Sequence, residues 1–230
     1  MSSRRSGAKG VARADRVEQY GGEYDRTVTD LTRPASARGG VARTPRQRQL
    51  FDELLEIFLR EGFREFTMDG AAARLRCSKA TIYALGGGRE ELVRAVLVTF
   101  FQRVGRGTEE ALHGPGGAGQ RLLAYLGAMA EQLRPASAQF LRDVAASPVA
   151  SEVYETNTRI ASAKLAALVA EGVAAGEFRP VPAGFIAELI SSAMDRIQQR
   201  TGMGGLEAPR AYRELGLLLL GGISAAPSGP

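Results

Sequence analysis

The sequence predicts an all-α protein. Apolar residues recur at helical spacing from Thr44 onward, and no stretch shows the clean alternation that marks a half-buried strand. Glycine and proline separate these segments, which gives roughly nine helices and no sheet. Of the 230 residues, 44% are hydrophobic and 24% are charged, so the chain can fill a core.

The first predicted helix has the clearest terminal signals. Thr44 suits the N-cap position, Pro45 suits the first helical position, and Gln47 completes a capping box. Gly62 is expected to end the helix, because glycine readily adopts a positive φ. One face is apolar and carries Leu50, Phe51, Leu54, Leu55 and Phe58.

Two short helices and a longer one follow. Residues 67 to about 75 predict a helix capped by Thr67, and residues 79 to about 85 predict a second one capped by Ser78. Three glycines at 86–88 interrupt the pattern. The next helix is predicted to begin near Arg89, with two acidic residues in its first turn, where the helix dipole favours them.

The remainder predicts a helical bundle. A glycine-rich loop at 114–119 precedes one helix, and Pro135 is predicted to begin another. A long helix is expected from Pro148 to about residue 176, followed by helices over 181–200 and 207–221.

Charge is concentrated at the N-terminus. Residues 1–45 hold nine basic and five acidic residues, out of a net charge of +5 for the whole chain. Such a basic arm can contact nucleic-acid phosphates, and a solvated tail without a partner is the alternative interpretation.

Composition excludes several classes of site. One cysteine allows no internal disulfide, and one cysteine with one histidine cannot form the usual zinc sites. We expect no metal, no cofactor and no enzymatic activity, since no persuasive catalytic set is present. The chain has no apolar run of membrane-spanning length and no secretory signal pattern, so we expect a cytoplasmic protein.

The two short helices have the outline of a helix-turn-helix. In such a unit the N-terminal residues of the second helix enter the major groove, where short polar side chains reach base edges. Ser78, Lys79, Ala80 and Thr81 suit that position. Phosphate contacts are expected from three further residues that flank this group, namely Thr67, Tyr83 and Arg89.

These segments resemble the DNA-binding domain of TetR-type transcriptional regulators. The resemblance rests on residues 66–68 (Phe-Thr-Met), 77–83 (Cys-Ser-Lys-Ala-Thr-Ile-Tyr) and 87–92 (Gly-Gly-Arg-Glu-Glu-Leu), and it is specific over about residues 44–104. It implies an N-terminal helix-turn-helix domain and a larger C-terminal bundle that binds an effector and dimerises.

Three residues depart from the family pattern. Arg76 replaces the usual turn glycine, so the turn must change conformation or tolerate strain. Leu85 replaces a histidine that can contact phosphate, and Gly86 replaces the aromatic residue that anchors the end of the recognition helix. Residues 86–88 are therefore expected to be looser than in other members, with the helix end ordered by DNA.

The resemblance also implies an effector pocket in the bundle. Its candidate lining residues are Phe100, Phe101, Val104, Leu126, Met129, Phe140, Val144 and Tyr154. Ordinary core packing is the alternative role for most of them. Because the set is mainly apolar, we expect a hydrophobic or aromatic ligand.

The last two helices predict a homodimer interface. Residues 217–220 are four consecutive leucines, more than a surface helix needs, and a four-helix contact with a second subunit would bury them. A core helix within one chain is the alternative. The candidate interface residues are Phe185, Leu189, Ile190, Met194, Leu215, Leu218 and Leu219.

Together these features predict a basic, disordered arm (1–43), a helix-turn-helix domain (44–104), a ligand-binding and dimerisation bundle (105–222) and a disordered tail (223–230). The expected function is a ligand-responsive repressor that binds a pseudo-palindromic operator as a homodimer. The alternative is a helical small-molecule-binding or scaffold protein whose helix-turn-helix has lost DNA binding. Equal numbers of basic and acidic residues, eight of each in 46–92, favour that alternative.

Overall fold

A computed structural model describes residues 44–199 and 205–225. The predicted basic arm and the end of the predicted tail lie outside these residues. Within them the chain forms nine α-helices and no strand, which confirms the predicted fold class. The helices are α1 (Pro45–Glu61), α2 (Met68–Arg74), α3 (Lys79–Gly86), α4 (Arg89–Leu112), α5 (Ala118–Leu133), α6 (Ala138–Ala146), α7 (Pro148–Ala174), α8 (Ala183–Gln199) and α9 (Ala208–Ile223).

Helix α1 begins and ends where the sequence predicted. Thr44 Oγ1 accepts a hydrogen bond from the Gln47 N–H, and Gln47 Oε1 accepts one from the Thr44 N–H, which completes the capping box. At the other end Gly62 has φ +84°. All five predicted apolar residues of the helix are buried.

The first four helices form a small head around α1. Helix α1 packs against α3 and α4, while α2 packs against α3. Ile82 and Leu85 are buried on the inner side of α3, and Leu92 and Val96 are buried on α4. The burial of these residues fixes α3 against the head and leaves its opposite side exposed.

Helices α4 to α9 form the bundle. Helix α4 runs from the head into the bundle and packs against α5 and α7; α9 lies against α5, and α8 lies against α7. Helix α6 packs on α7 and also contacts α1, so it joins the bundle to the head. A single hydrophobic core extends through both parts.

Helix α6 begins later than the sequence predicted. Pro135 was expected to start it, but the helix begins at Ala138, because the Ser137 side chain accepts a hydrogen bond from the Phe140 N–H and caps it there. The backbone N–H of Ser137 donates to Leu59 O of α1 at 2.8 Å. The start of α6 is therefore attached to the end of α1.

Candidate functional site

The second and third helices have the geometry of a helix-turn-helix with capped ends. Thr67 Oγ1 accepts a hydrogen bond from the Gly70 N–H at 3.0 Å, and Ser78 Oγ accepts one from the Thr81 N–H at 3.1 Å. Both predicted capping roles are confirmed. Ser78 Oγ also shares a hydrogen bond of 2.9 Å with Thr81 Oγ1. Since a hydroxyl oxygen has two lone pairs, a cap that uses one of them does not prevent contact with a ligand.

The four residues predicted to enter the major groove lie together at the start of α3; we call them the reading surface (Ser78, Lys79, Ala80, Thr81). The first three are exposed and Thr81 is half-buried. Tyr83 lies half a turn further along and is half exposed, so its phenol is accessible. Contact of these residues with DNA stays a prediction.

Lys79, the only cation of the reading surface, forms an ion pair with a carboxylate of α2. Lys79 Nζ lies 2.7 Å from Oδ2 of Asp69, which lies in the first turn of α2. The hydrogen bond from Lys79 to this carboxylate raises the pKa of the Lys79 ammonium. No sequence pattern had indicated a role for Asp69.

In the turn between α2 and α3 a residue other than glycine adopts the left-handed backbone conformation. Arg76 has φ +50°, the only positive φ at a non-glycine residue in 44–199 and 205–225. Of the two outcomes expected from the sequence, the turn thus tolerates strain. A side chain with a Cβ pays roughly 1–2 kcal/mol in this region relative to glycine.

Replacing Arg76 with glycine is expected to raise the free energy of unfolding by about 0.5–1 kcal/mol, because relief of the strained φ exceeds the added entropy of the unfolded chain. Thermal unfolding followed by circular dichroism should show a melting temperature higher by about 2–4 °C. Arg76→Ala is the matched control, since alanine keeps the Cβ and should bring no such gain. An equal gain in both variants would contradict the strain.

Packing between α3 and α4 requires a glycine at position 86, a requirement that the sequence pattern did not indicate. A Cβ at this position would lie 2.7 Å from Leu92 Cα, so a larger residue would separate α3 from α4. Leu85, expected only as the loss of a phosphate-binding histidine, is 2% exposed and anchors the end of α3 in the core. The Gly87 N–H donates to Tyr83 O at 2.7 Å and closes the helix. Gly86 thus lets the end of α3 approach α4 closely, while the expected looseness of residues 86–88 and their ordering by DNA stay predictions.

Arg89 contacts the loop between α1 and α2, which we call the junction loop (residues 62–66). Arg89 Nε donates to Phe66 O at 2.9 Å, and a terminal nitrogen donates to Phe63 O at 3.2 Å and to Arg64 O at 2.9 Å. The guanidinium predicted to contact phosphate therefore already binds three backbone carbonyls. In this conformation it positions the junction loop.

A carboxylate from the bundle binds the other side of the junction loop. Asp143 of α6 accepts hydrogen bonds from the Phe63 N–H at 2.6 Å and the Arg64 N–H at 2.9 Å, and its second oxygen accepts one from Gln139 Nε2 at 2.6 Å. Asp143 is buried. A Cβ at Gly62 would overlap this carboxylate, so glycine is required there by space as well as by φ.

Solved structures with the same architecture identify the fold. A TetR/AcrR-family regulator from Thermobifida fusca superimposes with a TM-score of 0.62 at 22% identity, covering 78% of this chain and 98% of that one. A TetR-family regulator from Agrobacterium tumefaciens gives 0.63 at 17% identity, with coverage of 78% and 98%. This is the TetR-family fold.

A further relative of the TetR-family fold was solved with a ligand. It is a transcriptional regulator from Saccharomonospora viridis in complex with choline, with a TM-score of 0.66 at 17% identity and coverage of 78% and 98%. The sequence of the present chain matches no family profile and no curated protein. The comparisons therefore show likeness in fold.

In this TetR-family fold a cavity of about 60 Å³ lies between α4, α5, α7 and α8. Three of the predicted lining residues border it, Phe101, Val104 and Met129. The other predicted residues do not border it: Phe100, Leu126, Phe140 and Val144 are buried elsewhere in the core, and Tyr154 is half-buried and packs against the core. The cavity also has a polar side that the sequence analysis missed, formed by Thr108, Asn157, Thr158, Lys164, Ser191 and Gln198.

Two polar groups characterise this cavity. Gln198 Oε1 is buried and has no hydrogen-bond partner among the described residues, while its Nε2 donates to the Tyr212 hydroxyl at 3.0 Å. Lys164 forms an ion pair with Glu109 and so brings little net charge. A buried unsatisfied acceptor is costly, and a ligand or a water molecule that donates a hydrogen bond would satisfy it.

Aromatic side chains connect the cavity to the junction loop in a continuous series. Tyr154 packs on Phe101 at 5.8 Å between ring centroids, Phe101 on Phe100 at 5.1 Å, and Phe100 on Phe140 at 5.5 Å. Phe140 then packs on Phe63 at 6.0 Å. Burial raises the pKa of the Tyr154 hydroxyl, which donates a hydrogen bond to Asp195 of α8.

The predicted interface residues on α8 and α9 divide into two groups. Phe185 is 57% exposed, Leu218 is 75% exposed, and Leu189 is also exposed. Leu215 and Leu219 are half-buried, whereas Ile190 and Met194 are buried in the chain's own core. Ile190 and Met194 lie four residues apart and so share one face of α8, and this face is buried within the chain.

The described parts of the chain contain neither a metal-binding cluster nor a membrane-spanning helix. No group of three or more His, Cys, Asp or Glu residues could hold a metal ion in 44–199 and 205–225. Nor does any helix in these residues have the length and apolarity needed to cross a membrane.

Proposed function

We propose that this protein is a homodimeric transcriptional repressor that binds a pseudo-palindromic operator and releases it when a small molecule binds. The observation that carries the proposal is the reading surface: short polar side chains and one cation project from a capped helix start that a buried Ile82 and Leu85 fix to the head. This is the arrangement that direct base readout requires.

A two-fold dimer would present two reading surfaces to successive major grooves. The exposed apolar side chains of α8 and α9 support such a dimer, because a second copy of the same two helices would remove Phe185, Leu189, Leu217 and Leu218 from water. The basic N-terminal arm would add contacts to the DNA backbone or minor groove.

The effector is proposed to occupy an expanded form of the cavity between α4, α5, α7 and α8, because the present volume of about 60 Å³ has room for only a few water molecules. Phe101, Val104 and Met129 support an apolar or aromatic part of the ligand, and the unsatisfied Gln198 Oε1 supports a hydrogen-bond donor on it. Compounds that release the operator test this proposal. Release only by charged, fully polar compounds would contradict it.

Regulation is proposed to occur by population shift. A ligand that binds best to a conformer with separated reading surfaces lowers operator affinity by its differential affinity for that conformer. The aromatic series and Asp143 provide continuous packing between cavity and junction loop, through which such a preference can act.

The experiment is selection of genomic fragments by the purified protein at near-physiological salt. Wild-type protein is expected to enrich a palindromic site, and the double variant Lys79→Ala, Thr81→Ala is expected to lose it, because the contacts to base edges and phosphates are removed. Sequencing of the retained fragments is the measurement.

Arg106→Ala is the matched control for charge, since it removes one exposed cation from α4 at about five turns from the start of that helix. It should retain the same palindromic site. Absence of enrichment by a folded wild-type dimer would contradict the proposal and favour the scaffold protein whose helix-turn-helix no longer binds DNA.

A further inference from the structure

The ion pair between α2 and α3 connects the two helices of the helix-turn-helix across their outer surface. Lys79 is the first residue of α3, and Asp69 lies in the first turn of α2. Their side chains are 64% and 66% exposed, so neither is held by burial. The pair forms because the first turns of α2 and α3 place the two charged groups next to each other, 2.7 Å apart.

Asp69 lies among the predicted DNA contacts. It follows Thr67 by two residues on α2 and binds the cation of the reading surface on α3. The carboxylate oxygen at 2.7 Å accepts one of the three N–H bonds of the ammonium, so it takes one of the positions that a phosphate oxygen or a base acceptor would use. DNA can therefore bind Lys79 fully only after this contact is given up or shared.

A second electrostatic effect acts in the same direction. When the head approaches DNA, the Asp69 carboxylate comes close to phosphates of the same sign, and the repulsion grows as Lys79 turns away. A pair this exposed is weak and easily screened by salt. Its presence thus permits DNA binding while reducing the benefit that Lys79 brings.

We propose that Asp69 is an internal competitor of DNA for Lys79 and thereby sets the operator affinity below the value that the reading surface could reach. The inference rests on the proposed function, because it concerns the strength of that same DNA contact. It gives Asp69 a role in recognition although its charge is opposite to that of a DNA-binding residue.

The test uses a double-mutant cycle on the full-length protein, with the fragment selected above as the probe. The variants are Asp69→Asn, Lys79→Met and their combination; asparagine keeps the shape of Asp69, and methionine keeps the apolar stem of Lys79. Fluorescence anisotropy at two salt concentrations gives the dissociation constants. Thermal unfolding of each variant verifies that the exposed substitutions leave the fold intact.

Asp69→Asn is expected to bind the fragment about 3- to 10-fold more tightly at roughly 0.1 M salt, with a smaller gain at roughly 0.3 M, because salt screens both the pair and the repulsion. In the Lys79→Met background Asp69→Asn should give a smaller gain in affinity, because only the repulsion between the carboxylate and the DNA phosphates is then removed. Glu65→Gln is the matched control for loss of one exposed negative charge on the head, and it should change affinity by less than about 2-fold.

Several results would overturn the inference. Weaker binding by Asp69→Asn would show that Asp69 orients Lys79 for DNA, and an additive cycle would show that the carboxylate acts without Lys79. In both cases the wild-type protein still binds its site, so the proposed function stands. If wild-type protein selects no site, the proposed function fails and the inference fails with it.

Discussion

Replacing Asp143 with alanine is expected to lower the free energy of unfolding by about 3–5 kcal/mol. The substitution removes the acceptor of two backbone N–H groups, at Phe63 and Arg64, and of the Gln139 amide. The Phe63 N–H is buried, and a buried donor without a partner costs about 1–3 kcal/mol, more when the lost acceptor was charged. Urea denaturation followed by circular dichroism measures the change.

A second variant at position 143 separates the effect of the negative charge from that of side-chain volume, and a surface variant is the control. Asp143→Asn keeps the shape and one acceptor but places an amide N–H₂ among donors, so we expect an intermediate loss of about 1–2 kcal/mol. Replacement of the exposed Glu56 by alanine should change stability by less than about 0.5 kcal/mol. An alanine variant at position 143 as stable as the wild type would show that the junction loop does not depend on this residue.

The double variant Phe185→Glu, Leu218→Glu is expected to be monomeric and to lose operator affinity by roughly 100-fold or more, because a single head contacts only one half-site. Both side chains are more than half exposed, so the substitutions should leave the fold of one chain intact. Analytical ultracentrifugation gives the oligomeric state, and anisotropy on the selected fragment gives the affinity.

Leu206→Glu is the control for this variant, since it places the same charge at an exposed leucine that precedes α9. It should stay dimeric and bind DNA as the wild type does. A double variant that remains dimeric would contradict the interface on α8 and α9 and would direct attention to another surface of the bundle.

The helix termini could be predicted because their determinants are local. Thr44, Thr67 and Ser78 each cap a helix through a hydrogen bond to a backbone N–H three residues later, and Gly62 ends α1 through its own φ. These hydrogen bonds join residues that are only three positions apart, so the local sequence is enough to predict them. The start of α6 was misplaced because Pro135 is a strong signal for a helix start, while Ser137 made the actual cap.

The contacts that assemble the site could not be predicted in the same way, because they join residues distant in sequence. Asp143 binds amides 79 and 80 residues earlier, and Arg89 binds carbonyls 23 to 26 residues earlier. One signal was present for Asp143: it lies between Phe140 and Val144 on the apolar stripe of α6, where a charged residue needs a partner.

The bundle shows a different limit. Phe185 and Ile190 are both apolar residues of α8, yet the first is exposed and the second is fully buried. The sequence pattern indicates that α8 has more apolar surface than one face needs, but it does not say which residues face the chain's own core. The same ambiguity placed Phe140 and Val144 at the cavity, although neither borders it and the Phe140 ring packs on Phe63 of the junction loop.

The two-sided binding of the junction loop also limits how this protein can be recombined. Arg89, which binds the loop carbonyls, belongs to α4, whereas Asp143, which binds the loop amides, belongs to α6. A chimaera that joined the first four helices to the bundle of another protein of this fold would keep the contacts of Arg89 and lose those of Asp143. Exchange of the head between proteins of this fold therefore requires that α6 is transferred with the head or that the new bundle has an acceptor at the position of Asp143.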